Sequence, residues 1–265
     1  MNANSIARFV DIAIKMVDSS GPVILDYFRK NLPFEKKDDQ SPVTQADQEV
    51  ETLLLNILDR ELPEHGVLGE EYGSKGIEEE YVWVIDPIDG TRAFINGIPL
   101  FGTLIALTHN GIPILGVIDH PALGERWLGI DGAPTLHWGR GNSGSPVKTR
   151  ACQSLSSAML CSTSPDMFSE EEKNKFDRIS KAVCDTRFGT DCYAYSMIAS
   201  GQTDLVVEAG MYPYDYLAHA VIVTGAGGVI SDWQGKPLNL KSTGTVVAAG
   251  DQKIHTETLK LLSAL

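Results

Sequence analysis

Two carboxylates, Asp86 and Asp89, close an apolar run in the string Trp83-Val-Ile-Asp-Pro-Ile-Asp-Gly-Thr91. The run Tyr81 to Ile85 reads as a buried strand, so the acids stand on a loop at a strand end. Pro87 stiffens that loop, Gly90 lets backbone approach a ligand, and Thr91-Arg92-Ala93-Phe94 opens a short helix whose first N–H groups face an anion. Hard carboxylate oxygens suit Mg²⁺, which commonly takes one or two protein carboxylates together with phosphate oxygens. The chemistry that follows is metal-assisted attack of water on a phosphate ester. An isolated Asp-x-x-Asp would be read as a polar turn with solvated acids; the complete string behind a hydrophobic strand favours the metal site.

The elements that must hold this loop can be read in order. Ile6, Phe9, Val10, Ala13, Met16 and Val17 recur at helical spacing, and the pattern resumes at Ile24, Leu25 and Phe28 beyond Gly21-Pro22, where a kink or break is expected. Residues 34–43 are polar and turn-rich, an extended loop or hairpin at the mouth of the site. An amphipathic helix begins at Thr44 or Asp47 and runs through Val50, Leu53, Leu54, Ile57 and Leu58. Val67-Leu68 is a short strand that delivers Glu70. Thr103–Thr108 and Ile112–Ile118 form a hairpin about His109-Asn-Gly111, and the sheet continues with Arg126–Ile130. The Gly-, Ser- and Pro-rich stretch from Asp131 to Val147 marks a boundary between two halves. Beyond it strands and helices alternate, so a layered α/β architecture is expected.

Composition narrows the function. The chain has 265 residues, 43% hydrophobic and 22% charged, enough for a large core. A net charge of −13 argues against nucleic acid and against an anionic membrane surface as partners. Cys152, Cys161, Cys184 and Cys192 show no Cys-x-x-Cys spacing and read as reduced core residues. His109, His120 and His137 fall in turns or loops and read as surface residues. The N-terminus has no basic n-region and carries Asp11, Lys15 and Asp18 inside its apolar pattern, so neither a signal peptide nor a spanning helix fits and a cytoplasmic protein is expected.

Gly69-Glu70-Glu71 followed by Asp86-Pro87-Ile88-Asp89-Gly90-Thr91 resembles the signature of the Mg²⁺-dependent inositol monophosphatase family. Val43-Thr-Gln-Ala-Asp47 upstream, Asp215 in Pro213-Tyr-Asp-Tyr and Gly225-Ala-Gly-Gly228 downstream extend the resemblance over nearly the whole chain. It implies a five-layer αβαβα sandwich of the inositol monophosphatase/fructose-bisphosphatase type. Residues 1–140 would carry most metal ligands and the phosphate loop, and 141–265 the substrate-recognition residues and Asp215. By the same resemblance Glu70, Asp86 and the Ile88 carbonyl hold one Mg²⁺, and Asp86, Asp89 and Asp215 a second. Asp47 and Glu70 assist through water at a third position, so two or three Mg²⁺ are expected, while Glu71 points away. Thr91 and Asp47 orient the attacking water, and the Gly90 and Thr91 amides hold the phosphate. For Asp47 the plain alternative is an early helix acid. The sequence offers no Cys-x₅-Arg or Asp-x-Asp nucleophile motif, so no covalent phospho-enzyme is needed. The family is often dimeric, and a homodimer is expected.

The resemblance implies a small phosphate monoester as substrate, and its identity turns on the second half. Phe101–Leu107, Gly189-Thr-Asp-Cys-Tyr-Ala-Tyr195 and Pro213-Tyr-Asp together resemble the histidinol-phosphate phosphatase branch of the family. Asp191, Tyr193 and Glu208 are then substrate-binding candidates, since extra acids suit a cationic amine or imidazolium better than a ring of hydroxyls. Asp191 also suits a helix cap, and both roles can hold at once. The expected reaction is hydrolysis of L-histidinol phosphate to L-histidinol and phosphate, a step of histidine biosynthesis. Alternatives are inositol-1-phosphate, sugar-bisphosphate or nucleotide 3′-phosphate hydrolysis, or a regulatory interaction protein on the same fold.

Overall fold

Along Tyr81–Asp89 the side chains alternate between two faces, and both faces are apolar, so this strand needs a packed layer on each side. A computed structural model describes residues 3–30, 33–36, 42–139 and 141–264 and supplies those layers. Helix α1 (Ala3–Tyr27), the antiparallel pair β1 (Phe34–Lys36) and β2 (Pro42–Thr44), and helix α2 (Gln45–Glu61) come first. The hairpin expected over 34–43 is that pair; its connection, 37–41, lies outside the described residues. Strands β3 (Gly66–Gly69), β4 (Gly73–Lys75), β5 (Tyr81–Asp89), β6 (Gly102–His109), β7 (Ile112–His120), β8 (Glu125–Ile130), β9 (Leu136–Gly139) and β10 (Asn142–Pro146) form one sheet in the order β10-β9-β8-β7-β6-β5-β3-β4. The short helix α3 (Thr91–Ile95) sits between β5 and β6. Strands β11 (Met159–Ser162), β12 (Asp185–Phe188), β13 (Leu205–Glu208), β14 (Val229–Ser231) and β15 (Val246–Ala249) form a second sheet, ordered β12-β11-β13-β15-β14. Helices α4 (Glu170–Ser180), α5 (Tyr193–Ala199), α6 (Pro213–Gly225) and α7 (Gln252–Ser263) are interleaved with it.

Among the described residues three apolar cores fill five layers, the middle core enclosing α5 and α6 between the two sheets. Trp83 and Ile85 of β5 pack with Met16, Ile24, Leu54 and Leu58 of α1 and α2, whereas Val82 and Val84 point the other way, toward α5 and α6. The second sheet repeats the division: Val206, Val246 and Ala248 join the middle core, and Leu205, Val207 and Val247 join a third with Phe176 of α4 and Ile254 of α7. The αβαβα sandwich is therefore present, read directly from period-two alternation in both sheets.

Several details depart from expectation. Helix α1 continues through Pro22 without a break. Pro22 lies on its exposed side, the Ser19 and Ser20 hydroxyls donate to the Lys15 and Val17 carbonyls nearby, and Val17 and Ile24 stay anchored in the core. The stretch after Asp131 contains β9 and β10, which extend the first sheet to Pro146. Its glycine content has a local cause, since a Cβ on Gly144 would come 2.7 Å from the Trp138 ring. His120 is fully buried rather than superficial, held by the Phe101 carbonyl at 2.8 Å and Ser196 Oγ at 3.2 Å, and His137 lies in β9 stacked on Trp127. Of the cysteines, all free, Cys184 is exposed and the other three are buried.

Candidate active site

Asp86 and Asp89 sit where the pairing of β5 with β6 becomes irregular, between Asp86 opposite Leu104 and Asp89 opposite Gly102. A bulge of this kind re-aims side chains, and here it turns both acids to one side. The Ile88 N–H donates to Asp86 Oδ1 at 3.0 Å, and Thr103 Oγ1 donates to the Pro87 carbonyl at 2.9 Å, pinning the loop to β6. Gly90 follows at φ 83°, and a Cβ there would meet the Leu100 carbonyl at 3.0 Å and Asp191 Cβ at 3.3 Å, so glycine is required on both counts.

The other acids arrive at helix starts. Asp215 is the third residue of α6, its Oδ2 accepting the Tyr212 N–H at 2.7 Å. Asp47 is the third residue of α2 in a capping box with Thr44, whose N–H and hydroxyl donate to Oδ2 at 2.8 and 2.6 Å. Asp89 Oδ2 accepts the Cys192 N–H at 2.8 Å, from the residue preceding α5. Carboxylates at these positions are favoured by the helix dipoles. Thr91 Oγ1 lies 3.1 Å from the Ile88 carbonyl and 3.5 Å from Asp47 Oδ1, which joins the β5 loop to α2.

Oxygen atoms of Asp86, Asp89 and Asp215 converge within 4.8 Å of one another. Burial, and then repulsion from Glu70, Asp89 and Asp215, hold the Asp86 carboxyl well above the usual carboxylate range; burial and Asp89 do the same to Asp215. Burial, opposed by the Cys192 contact, pushes Asp89 up to about 6, and burial also raises Asp47 to about 6, against its Thr44 hydrogen bonds. Glu70 touches this set as a hydrogen-bond neighbour of Asp86 and a repulsive charge on Asp47, Asp89 and Asp215. Hard oxygen donors that repel one another in a buried site fit a divalent cation, which removes the repulsion when bound.

A cavity of about 190 Å³ opens beside these acids, lined among others by Gly90, Thr91, Arg92, Asp191, Tyr195 and Glu208. Larger clefts of about 480 and 850 Å³ lie elsewhere but lack the convergent acids, so chemistry rather than size selects the site. Asp191 adopts φ 45°, a left-handed conformation uncommon outside glycine, and its carboxylate makes no hydrogen bond to any described group. Burial, then Asp89 and Glu208, raise it to about 8. It does not cap α5 with its side chain; only its carbonyl accepts, from the Ala194 N–H. Glu208 is braced by three donors, the Thr163 N–H and hydroxyl at 2.7 and 2.6 Å and the Tyr195 hydroxyl at 2.6 Å.

Tyr193 is separated from the cavity: its hydroxyl donates to Glu125 Oε2 at 2.9 Å and its ring packs on His120. Tyr195, two residues on, lines the cavity instead, stacked on His219 with centroids 3.9 Å apart. The sequence carried no signal for this exchange, because Asp191 lies outside α5 and only the position of each tyrosine on that helix separates them. Thr163, which braces Glu208, gave no signal in the sequence, since the two lie 45 residues apart.

Residues 6–265 match the profile of the Inositol monophosphatase family. The bifunctional phosphatase IMPL2 of Arabidopsis thaliana is 47% identical over 264 residues, spanning 96% of this chain and 75% of that protein. A histidinol-phosphatase of Chlorobaculum parvum is 34% identical over 90% of this chain and 91% of its own length. Among solved structures, an inositol monophosphatase of Zymomonas mobilis superposes with a TM-score of 0.88 at 41% identity, each chain covered completely. With the family signature lying on the convergent acids and the same fold around them, the chain belongs to the inositol monophosphatase family and is a phosphatase of that family.

Proposed function

We propose that the chain is a Mg²⁺-dependent phosphate monoester hydrolase that prefers L-histidinol phosphate. The observation that carries the substrate is Asp191: a half-buried carboxylate with no hydrogen-bond partner of its own, beside the Asp89–Thr91 loop and opposite a braced Glu208. With burial and the charges of Asp89 and Glu208 against it and only Arg92 in its favour, this carboxylate gains from a further cationic partner. An amine or imidazolium on the substrate relieves it; inositol hydroxyls do so only weakly. The two named relatives leave the choice open, and the Zymomonas mobilis likeness favours inositol monophosphate as the second reading.

Asp86, Asp89 and Asp215, with Glu70 and the Ile88 carbonyl, are the residues that would hold the cation. When bound, it supplies positive charge that polarises the ester and the attacking water and offsets charge on the leaving oxygen. The protein's own groups supply position and proton transfer. Thr91 Oγ1 and Asp47 orient the water, and Asp47, raised to about 6, is suited to take its proton near neutrality. The Gly90 and Thr91 amides open α3 beside the cavity and receive the phosphate oxygens. A cytoplasmic location and a homodimer belong to the same reading; among the described residues no helix is long and apolar enough to cross a membrane.

A panel of phosphate monoesters assayed with and without Mg²⁺ tests the proposal. Turnover should vanish on chelation, and histidinol phosphate should exceed inositol monophosphate in kcat/KM. Asp191→Asn should lower kcat/KM for histidinol phosphate by about tenfold or more, since a charged hydrogen bond is worth about 1.5–3 kcal/mol, and leave a small neutral ester nearly unchanged. Equal loss on both esters would assign Asp191 to the fold, and comparable wild-type rates on inositol monophosphate would overturn the substrate while leaving the phosphatase.

A further inference from the structure

Glu51 is a fully buried carboxylate to which hydrolysis, as derived above, gives no task. It lies one helical turn beyond Asp47 on α2, so both acids leave the same side of that helix. Its Oε2 accepts the Glu71 N–H at 2.8 Å, and its Oε1 accepts the Tyr72 N–H at 3.0 Å. The two backbone amides that follow Glu70 are thereby tied to α2. On its other side the Glu70 N–H donates to the Ile85 carbonyl of β5 at 3.2 Å. The backbone of Glu70 is clamped between the strand that carries Asp86 and the helix that carries Asp47 in its first turn.

Gly69 makes the clamp possible. A Cβ at that position would come 2.0 Å from Glu51 Oε1 and 2.6 Å from its Cδ, so only glycine lets the carboxylate slide beneath the strand end. The neighbours of Glu51 on the buried side of α2, Val50 and Leu54, are apolar, and an apolar side chain would fill this space without desolvating a charge. Both bonds come from backbone N–H groups, and both act on the turn that carries Glu70.

We propose that Glu51 is a positioning residue: it fixes the turn at residues 69–72 so that the Glu70 carboxylate meets Asp86 in the geometry a divalent cation demands, and thereby sets metal affinity without touching metal or substrate. The proposal rests on the Mg²⁺ reading above. Outer groups that orient metal ligands typically govern affinity by about ten- to a hundredfold.

The experiment is calorimetric titration of the purified chain with Mg²⁺, alongside turnover measured against Mg²⁺ concentration. Glu51→Gln keeps the volume but turns an NH₂ group toward one of the two amides. It should weaken Mg²⁺ binding by about tenfold or more and raise the Mg²⁺ needed for half-maximal turnover in parallel, while kcat at saturating Mg²⁺ stays within about threefold of wild type. Gly69→Ala, which displaces the carboxylate without altering Glu51, should shift both quantities in the same direction. A lower melting temperature with unchanged Mg²⁺ affinity in the folded protein would make Glu51 structural and overturn the proposal, as would failure of both variants to fold. A wild type that takes up no Mg²⁺ would remove the parent reading and this one with it, and is recognised because it is read before any substitution.

Discussion

At the scale of single residues, what distinguishes the site is acids held where acids repel. Asp86, Asp89 and Asp215 converge within 4.8 Å, each raised above its usual range chiefly by burial. Asp86→Asn, Asp89→Asn and Asp215→Asn should therefore each cost about a hundredfold or more in kcat/KM at fixed Mg²⁺, a loss of about 2.7 kcal/mol in transition-state stabilisation. Glu71→Gln should cost little and Glu70→Gln much, because it is Glu70 that faces the other acids. Steady-state kinetics across Mg²⁺ concentrations checks this, and equal losses at 70 and 71 would reverse the assignment. The acids were legible in the sequence because a strand end and a rigid turn announce themselves within nine residues. Residues that act across the chain were not: Thr163 braces Glu208 from just past the end of β11, and Glu51 finds its partners in the backbone twenty residues on, at Glu71 and Tyr72. Tyr193 and Tyr195 look equivalent as letters, and only the geometry of α5 separates the one on Glu125 from the one on Glu208.

At the scale of elements, α6 matters most, since it carries Asp215 and lies between the two sheets. It approaches the first sheet so closely that β7 and β8 must present glycine beneath it. A Cβ on Gly116 would fall 2.5 Å from the Ala218 carbonyl, and one on Gly129 would fall 3.0 Å from the Ile222 nitrogen. Gly116→Ala should push the helix outward, destabilise the fold by about 1–3 kcal/mol as overpacking does, and weaken Mg²⁺ binding by moving Asp215. Thermal melting with and without Mg²⁺ measures both effects; a destabilised variant with unaltered Mg²⁺ response would show that α6 yields without carrying Asp215 along. Most elements were legible because alternation and helical spacing are local. Two were obscured by composition: Pro22 reads as a break but rides on the exposed side of α1, and the glycines and serines of β9 and β10 read as a linker although Gly144 is packed beneath Trp138. In both places tertiary packing overrides local preference.

At the scale of the whole molecule, an acidic chain with its repulsion concentrated in one pocket should answer protons and Mg²⁺ as alternatives. In the chelated protein Asp89 and Asp47 titrate near 6, Asp191 near 8, and Asp86 and Asp215 lie well above the ordinary range, whereas the unfolded chain ionises all five near 3.8. A carboxyl raised by folding binds more protons in the folded state, so stability grows as pH falls through the folded value, by up to about 1.4 kcal/mol per pH unit for each fully shifted group. The opposing groups are the histidines that burial lowers: His120 to about 4, His219 to about 3, and His65, His137 and His255 in the same direction. Their neutral forms favour folding fully above about 6.5, and that contribution is lost only as pH falls below it. Between pH 8 and 7 the histidines contribute little and the acids dominate, so the melting temperature of the chelated protein should rise as pH is lowered across that window. With saturating Mg²⁺ the metal-binding acids stay ionised in the folded state, the rise should flatten, and the Mg²⁺-dependent gain in melting temperature should be largest at pH 8 and shrink toward pH 6 as protons displace the cation. Melting curves at half-unit steps, with EDTA and with Mg²⁺, test the sign. A chelated protein that loses stability steadily from pH 8 to 7, or a Mg²⁺ gain that grows on acidification, would mean that the buried acids are not the dominant charge on the folded state.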